Sequence, residues 1–306
     1  MFEKLERRGI PGYILRILSF WYEHQTMCVK WGKITSEYFY VTNGVRQGSI
    51  LSPYFFNVYV DDLSAKLNSM NIGCVVDSLL VNHLLYADDL VLISPSSRGL
   101  CRLLEECEKY GLETDILFNA NKSAVMCYMS NSTSKFKIPD FKLNESVIPI
   151  VKNEKYLGHF LSDTGSDSLD IDRQRKKLFI QGNSLVRKFY MCTIDVKLKL
   201  FQSFCSPMYT AQLWSNYSNC DITSLYRAYH NTLKILLGVS KRVYTSPLCA
   251  FLNIRTCPAV IRNLVFRFML RIRNSSNSII MAIYWSSTYY KSAIWKHWRS
   301  LLYTNV

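Results

Sequence analysis

The sequence predicts an α+β protein in two parts, on three observations. Short runs rich in Val, Ile, Tyr and Phe alternate with helix-period segments as far as about residue 165. From Asp170 onward the apolar pattern is helical. The charge divides at nearly the same place: residues up to Asp172 carry 17 Lys and Arg against 21 Asp and Glu, and those beyond it 20 against two, Asp195 and Asp221. With 306 residues, 49% hydrophobic and 20% charged, the chain fits one large or two ordinary globular domains. We expect domains at 1–165 and 166–306, divided near the polar "SDTGSDS" of Ser162–Ser168.

In order, Phe2–Arg8 predicts a helix stopped by Gly9 and Pro11, and Gly12–His24 a second with apolar faces from Ile14, Leu15, Ile17, Leu18, Trp21 and Tyr22. Met27–Trp31 and Glu37–Thr42 read as strands around "WGKITS", with Asn43-Gly44 a further turn signal. Tyr54–Asn68 is helical, with Phe56, Val60, Leu63 and Leu67 at i, i+4, i+7 and i+11, Pro53 in its first turn and Ser52 as its cap. Cys74–Val76 and Leu84–Ile93 are strand-like, and Gly99–Tyr110 is a helix with Gly111 as C-cap. Lys122–Met129 and Tyr156–Phe160 read as extended. Helices follow at Asp170–Met191, Asp195–Tyr209, Ile222–Leu237 and Pro258–Arg273.

Composition excludes several classes. The opening "MFEKLERRGIPGY" mixes acids with bases and reads as no signal peptide. Apolar runs such as "SIIMAIYW", Ser278–Trp285, fall short of the roughly 20 residues of a membrane span. The ten cysteines form no CxxC pair and have no His at zinc-ligand spacing, so reduced thiols and an intracellular setting are expected. The net charge of +14, concentrated in the rear half, points to a polyanion partner such as nucleic acid, the competing reading being a solvated basic surface.

Two aspartate pairs stand 27 residues apart, in "YVDD" at Tyr59–Asp62 and "YADD" at Tyr86–Asp89. Asp61-Asp62 falls within a helical pattern, where neighbours diverge by about 100° and do not converge on one ion. A solvated face or a helix-end cap is expected there. Asp88-Asp89 sits between "HLLY" and "LVLIS", which predicts a hairpin with both acids at its tip. Two adjacent carboxylates repel unless a cation neutralises them, and Mg²⁺ is the hard, oxygen-seeking candidate. An ordinary acidic turn is the other reading of these four residues.

The neighbours carry a resemblance. "NGVRQGSILSPYFFNVYVDDL" (Asn43–Leu63), "YADD", "GLETDILFNANKSAVM" (Gly111–Met126) and "EKYLGHFLSD" (Glu154–Asp163) follow one another in an order that resembles the reverse transcriptases of non-LTR (LINE-type) retrotransposons. The resemblance is close over residues 1–165 and weaker beyond. It implies a partial polymerase palm, an antiparallel sheet with helices on one face, followed by an all-helical thumb and connection region. It further implies RNA-directed DNA synthesis on an RNA template and DNA primer from deoxynucleoside triphosphates. By that resemblance Asp88 and Asp89 would hold two Mg²⁺ ions, and Lys122 would stabilise or protonate the leaving pyrophosphate. Arg46, Gln47, Gly48 and Ser49 would line the nucleotide and template, with Tyr86 near the primer terminus or in the core. Tyr156, Leu157 and Gly158 would lie at the primer end.

One departure matters. Such polymerases use a third carboxylate from a strand ahead of the Arg46–Pro53 motif, and residues 1–60 contain no aspartate; Glu3, Glu6, Glu23 and Glu37 are the acids there. "MFEKLERRGIPGY" resembles the segment just after that strand, so this chain is expected to lack both it and the fingers, and to be inactive alone. Asp77 is the first substitute to test.

In the rear half, "DRQRKKLFIQGNSLVRKF" (Asp172–Phe189) offers Arg173, Arg175, Lys176, Lys177, Arg187 and Lys188 as phosphate contacts, against a solvated helix as the plain reading. "RNLVFRFMLRIR" (Arg262–Arg273) reads first as a core helix, and the aromatic tail from Tyr284 as packing before base stacking. Three other readings stand beside it: a nucleic-acid-binding remnant without catalysis, a group II intron maturase-like or telomerase-like relative, and an untranslated relic with no function. No endonuclease domain is visible, and a nuclear location follows only if the chain belongs to an intact element.

Overall fold

In the computed structural model, residues 1–42, 44–128 and 138–303 are described. Asn43 of the expected turn, Met129 of the expected strand and the last three tail residues lie outside them. The chain divides into two compact units, one of residues 1–75, 80–118 and 142–144, the other of 76–79, 119–141 and 145–306. Segment 145–165, expected with the front domain, gathers with the helical unit.

The mixed α+β class holds, but the strands pair two by two, with no broader sheet among the described residues. Each is only two to four residues long, and all but the β1–β4 pair close on a sequence neighbour across a tight turn. In the first unit, helices α1 (Phe2–Arg7) and α2 (Gly12–Glu23) precede a hairpin of β1 (Thr26–Met27), β2 (Lys30–Trp31), β3 (Ile34–Thr35) and β4 (Phe39–Tyr40). Trp31 opposes Ile34 across Gly32-Lys33, and Met27 opposes Phe39. The register slips by one residue between these pairs, where the Ser36 hydroxyl accepts from the Val29 amide at 2.9 Å.

Helix α3 (Ser52–Ser69) begins two residues earlier than expected. Ser52 is inside it, not capping it, and its hydroxyl donates to the Arg46 carbonyl at 2.5 Å. Val60, Leu63 and Leu67 are buried as the pattern required, but Phe55 takes the place expected of Phe56, packing with Leu5 and Leu18. Strands β5 (Cys74–Val76), β6 (Leu79–Val81), β7 (His83–Tyr86) and β8 (Asp89–Leu92) follow, then α4 (Ser97–Thr114). Ser96 caps α4 by accepting from the Gly99 amide. Gly111 is not its end: the helix runs on to Thr114, and Asp115 supplies the left-handed cap at φ 54°. Leu63 and Leu67 of α3, Leu103, Cys107 and Tyr110 of α4, and Leu90 and Leu92 of β8 form one core. Burial there pushes the Cys107 thiol up to about 12, which keeps it inert.

Asp61 and Asp62 tie α1 to α3. Asp61 meets Arg8 at 2.6 Å and Asp62 meets Lys4 at 2.8 Å. Burial disfavours the Lys4 charge, but hydrogen bonds to Asp62 and Tyr110 outweigh it and raise its pKa. The same ammonium donates to the Tyr59 carbonyl at 2.7 Å.

The second unit takes β9 (Phe141–Leu143) in part, then β10 (Ser146–Ile148), β11 (Asn153–Tyr156) and β12 (His159–Ser162). Tyr156–Phe160 is therefore no single strand: it turns at Leu157-Gly158 into a hairpin. The helices are α5 (Ser168–Lys188), α6 (Ile194–Leu200), α7 (Asn219–Leu237), α8 (Thr245–Phe251), α9 (Cys257–Arg273), α10 (Ser278–Trp285), α11 (Ser287–Lys291) and α12 (Ala293–Tyr303). The expected helix to Tyr209 breaks into a π turn at Phe201–Cys205, since Pro207 can donate no bond to continue it. α5 lies tightly on α7: a Cβ on Gly182 would come within 2.3 Å of the Thr232 methyl. The Ser218/Asp221 capping box starts α7 and left-handed Gly238 ends it. Ile261 and Val265 bury α9 as a core helix, and Trp298 of the tail is buried, its indole donating to the Gln212 carbonyl at 2.9 Å.

Asp170 is the polar centre of this unit and is fully buried. It accepts from Arg173 Nε (2.8 Å), Thr210 Oγ1 (2.7 Å), Trp214 Nε1 (2.8 Å) and the Phe160 amide (3.3 Å), with His159 Nδ1 at 3.1 Å. Burial alone would raise its pKa, but the bonds from His159, Thr210, Trp214 and Arg173 hold it well below the usual carboxylate range. A depressed folded-state pKa contributes stability that is present above the ordinary carboxylate value near ~4 and lost as pH falls below it. Asp170→Asn should cost about 3 kcal/mol or more, read as a lower urea midpoint, and should flatten the acid limb of stability against pH.

Candidate functional site

The first piece of the site is built on β7 and β8. Tyr86 pairs with Asp89 across a two-residue turn of Ala87 and Asp88. Asp88 thus sits at the tip and Asp89 begins β8; both are exposed, and among the described residues no cation pairs with either. Leu90 and Leu92 point into the α3–α4 core, which fixes the hairpin from behind. Tyr86 is 63% exposed, so the core reading of that ring is corrected to a surface one. Ala87 takes φ 52°, where a Cβ costs about 1–2 kcal/mol. The strained turn thus carries two like charges side by side.

The second piece, in the same unit, is the Arg46–Ser49 turn. The Ser49 amide donates to the Arg46 carbonyl at 3.2 Å, and Gly48 takes φ 83°, as the third position of a type II turn requires. Arg46, Gln47 and Gly48 are exposed and Ser49 is half-buried. Gln25, which the motif reading missed, holds this loop. It is 3% exposed, accepts from Arg46 Nε at 3.0 Å and donates to the Val41 carbonyl at 3.2 Å. Between Glu23, His24 and Thr26, nothing in the local sequence pattern singles it out.

The remaining residues belong to the helical unit. Lys122 is exposed and closes a 3₁₀ turn at Ala120–Lys122, not the start of a strand. The Asn119 side chain accepts from the Asn121 amide, and Ser123 donates to the Asn119 carbonyl, so local bonds win over extension. Backbone pairing begins at Val125, bridged to Ile150. Tyr156 opposes His159 across Leu157 (φ 45°) and Gly158 (φ 82°). A Cβ on Gly158 would lie 2.9 Å from the Tyr209 ring.

The α5 cations divide. Arg173 is not a free phosphate contact: it is spent on Asp170 and Thr210. Arg175 and Lys176 both pair with Asp172, the latter at 2.8 Å. Lys177, Arg187 and Lys188 have no carboxylate partner among the described residues, and Arg187 and Lys188 edge a shallow groove with Ile180, Asn183 and Ser184.

Asp88 and Asp89 offer hard oxygen donors of the kind Mg²⁺ takes, and would be the residues to hold it. Among the described residues no cluster of three or more His, Cys, Asp or Glu stands ready for a metal, and Asp77 lies in its own exposed turn between β5 and β6. Among the described residues no helix is long and apolar enough to cross a membrane.

Residues 1–161 match the family model described as reverse transcriptase (RNA-dependent DNA polymerase), and the chain belongs to that family. Its relatives are of the non-LTR type. It is 29% identical over 171 residues to the Pol polyprotein of the type-2 retrotransposable element R2DM of Drosophila melanogaster, which spans 54% of this chain and 16% of that protein. It is 27% identical over 215 residues to that of the type-1 element R2 of Popillia japonica, 66% of this chain and 34% of the relative. To the RNA-directed DNA polymerase of the mobile element jockey of D. melanogaster it is 20% identical over 284 residues, 89% of this chain and 30% of the relative. The chain thus spans about a third or less of these proteins. Enzymes of this family generally use Mg²⁺ and act with a nucleic-acid template and primer and nucleotide substrates.

Two substitutions test the turns. Ala87→Gly should raise stability by about 0.5–1 kcal/mol in urea unfolding, by releasing the left-handed strain. Gly158→Ala should lower it by about 1 kcal/mol. The Tyr209 ring is 59% exposed and free to swing away, so pairing Gly158→Ala with Tyr209→Ala should recover little of that loss.

Proposed function

We propose that this chain carries the palm hairpin, thumb and connection region of a non-LTR-type reverse transcriptase, with the palm over 1–165 and the helical thumb and connection over 166–306. The observation that carries this reading is the pair Asp88-Asp89 at the strained tip of the 83–92 hairpin, in a chain whose first 161 residues match the family. The substrates are an RNA template, a DNA primer and deoxynucleoside triphosphates, and in an intact element the work is done on chromosomal DNA in the nucleus.

In this reading Asp88 and Asp89 hold Mg²⁺, Asp88 being the more critical. When bound, the metal neutralises charge building on the triphosphate and the attacking 3′-hydroxyl. Gly48 leaves room for the nascent base pair, and Gln47 can both donate to it and accept from it. Arg46, held by Gln25, and Ser49 flank them, and Tyr86 presents its ring toward the primer terminus. Lys122 offers a positive charge, or a proton, to the leaving pyrophosphate. Tyr156-Leu157-Gly158 steadies the primer end. Lys177, Arg187 and Lys188 grip phosphates without reading sequence.

These 306 residues alone do not polymerise, because two carboxylates without a third hold the metals poorly. The second reading, a nucleic-acid-binding remnant, is favoured by the rear-half charge, and the two readings separate in one experiment. The purified chain, given an RNA template, DNA primer, Mg²⁺ and nucleotides, should bind the duplex and extend nothing. Binding should weaken steeply with salt. Robust extension would overturn the inactivity. Weak Mg²⁺ binding by calorimetry that disappears in Asp88→Asn/Asp89→Asn supports the palm reading, and its absence from the unaltered chain favours the remnant.

A further inference from the structure

Lys234, on α7, is 5% exposed and has no carboxylate partner among the described residues. Its ammonium donates instead to two main-chain carbonyls, of Lys241 at 3.2 Å and Val243 at 2.6 Å. A buried ammonium is costly unless its donors are taken up, so these two bonds fix the loop that supplies them. The loop is tight for other reasons too. Gly238 reverses the chain at φ 70°, and the Val239 amide returns to the Lys234 carbonyl at 2.9 Å. The Ser240 hydroxyl accepts from the Arg242 amide at 3.3 Å, and the Ser240 carbonyl accepts from the Val243 amide at 3.2 Å.

With its carbonyls turned inward, the loop presents Lys241, Arg242 and Tyr244 to solvent, Tyr244 at 83% exposure. Nothing in sequence offsets these cations: no Asp or Glu follows Asp221. Two uncompensated cations beside an exposed ring, on a loop rigidified from within, match the chemistry of a sugar–phosphate backbone with a base at its edge.

We propose that the loop Gly238–Tyr244, held by buried Lys234, is a phosphate contact of the helical unit for bound nucleic acid, additional to α5. The inference rests on the reading that this chain grips a template–primer duplex, and names a second place where it does so. Lys241 and Arg242 make the contacts. Lys234 is a positioning residue.

The test measures binding of the full chain to a labelled RNA–DNA duplex by fluorescence anisotropy across a salt series. Lys241→Gln/Arg242→Gln should weaken binding roughly tenfold or more at 0.1 M salt and lower the slope of log affinity against log salt by about 2. Lys234→Met should lower the slope as well, although it removes no exposed charge; thermal unfolding establishes that it is folded at the temperature used. Arg187→Gln/Lys188→Gln is the comparison. If that variant weakens binding and the loop variant leaves the slope unchanged, the loop assignment fails while the proposed function stands. If Lys234→Met loses stability but keeps the slope, its positioning role fails. No binding by the unaltered chain overturns both readings. Should the loop variant lose affinity for polyglutamate but not for the duplex, the loop is an acidic-protein contact and the proposal is wrong.

Discussion

The buried carboxylate of Asp170 is the constraint on which the helical unit depends. A fully buried charge must have its lone pairs filled, and Asp170 draws donors from β12, from its own helix and from the 210–214 segment. Those bonds hold the Tyr156–Gly158 hairpin to the helices, which is why 145–165 clusters with them although its sequence resembles the palm. Nearby Asp167 does the same for the chain entering α7, accepting from the Ser215 and Asn216 amides at 2.7 and 2.8 Å. The polar stretch that reads as a linker is therefore a junction.

The two aspartate pairs show how one dipeptide takes opposite fates. Asp61 and Asp62 face Arg8 and Lys4 and fasten one helix to another. The Lys4 bond holds the Asp62 carboxyl below its ordinary value, against the effect of burial. Asp88 and Asp89 have no such partner among the described residues, and stand on a turn whose backbone is strained. Satisfied acids build the fold; unsatisfied ones on a rigid support are free to meet a cation.

The 83–92 and 153–162 hairpins each carry a side chain in the left-handed region, Ala87 in one and Leu157 in the other. Glycine would suit either position better by about 1 kcal/mol. Each hairpin is held by its surroundings instead, the first by the leucines of β8 in the α3–α4 core, the second by the Asp170 hub. Rigid support of that kind keeps exposed turns in one conformation.

Much of this was legible in the sequence. Periodicity located α2, α3, α5, α7 and α9, and the strand-like flanks of "ADD" located the 83–92 hairpin, because both patterns are set by neighbours within a few residues. The Asp172 pairs with Arg175 and Lys176 lie three and four residues apart, yet both cations read in the sequence as phosphate contacts. What only the tertiary structure decided were matters of long-range partnership. Trp214, 44 residues from Asp170, completes the site that withdraws Arg173 from solvent, and Gln25, 21 residues from Arg46, steadies the Arg46–Ser49 turn. No local pattern encodes such pairs, because the cost of burying a charge or an amide is settled only by whichever donors the folded chain brings to it.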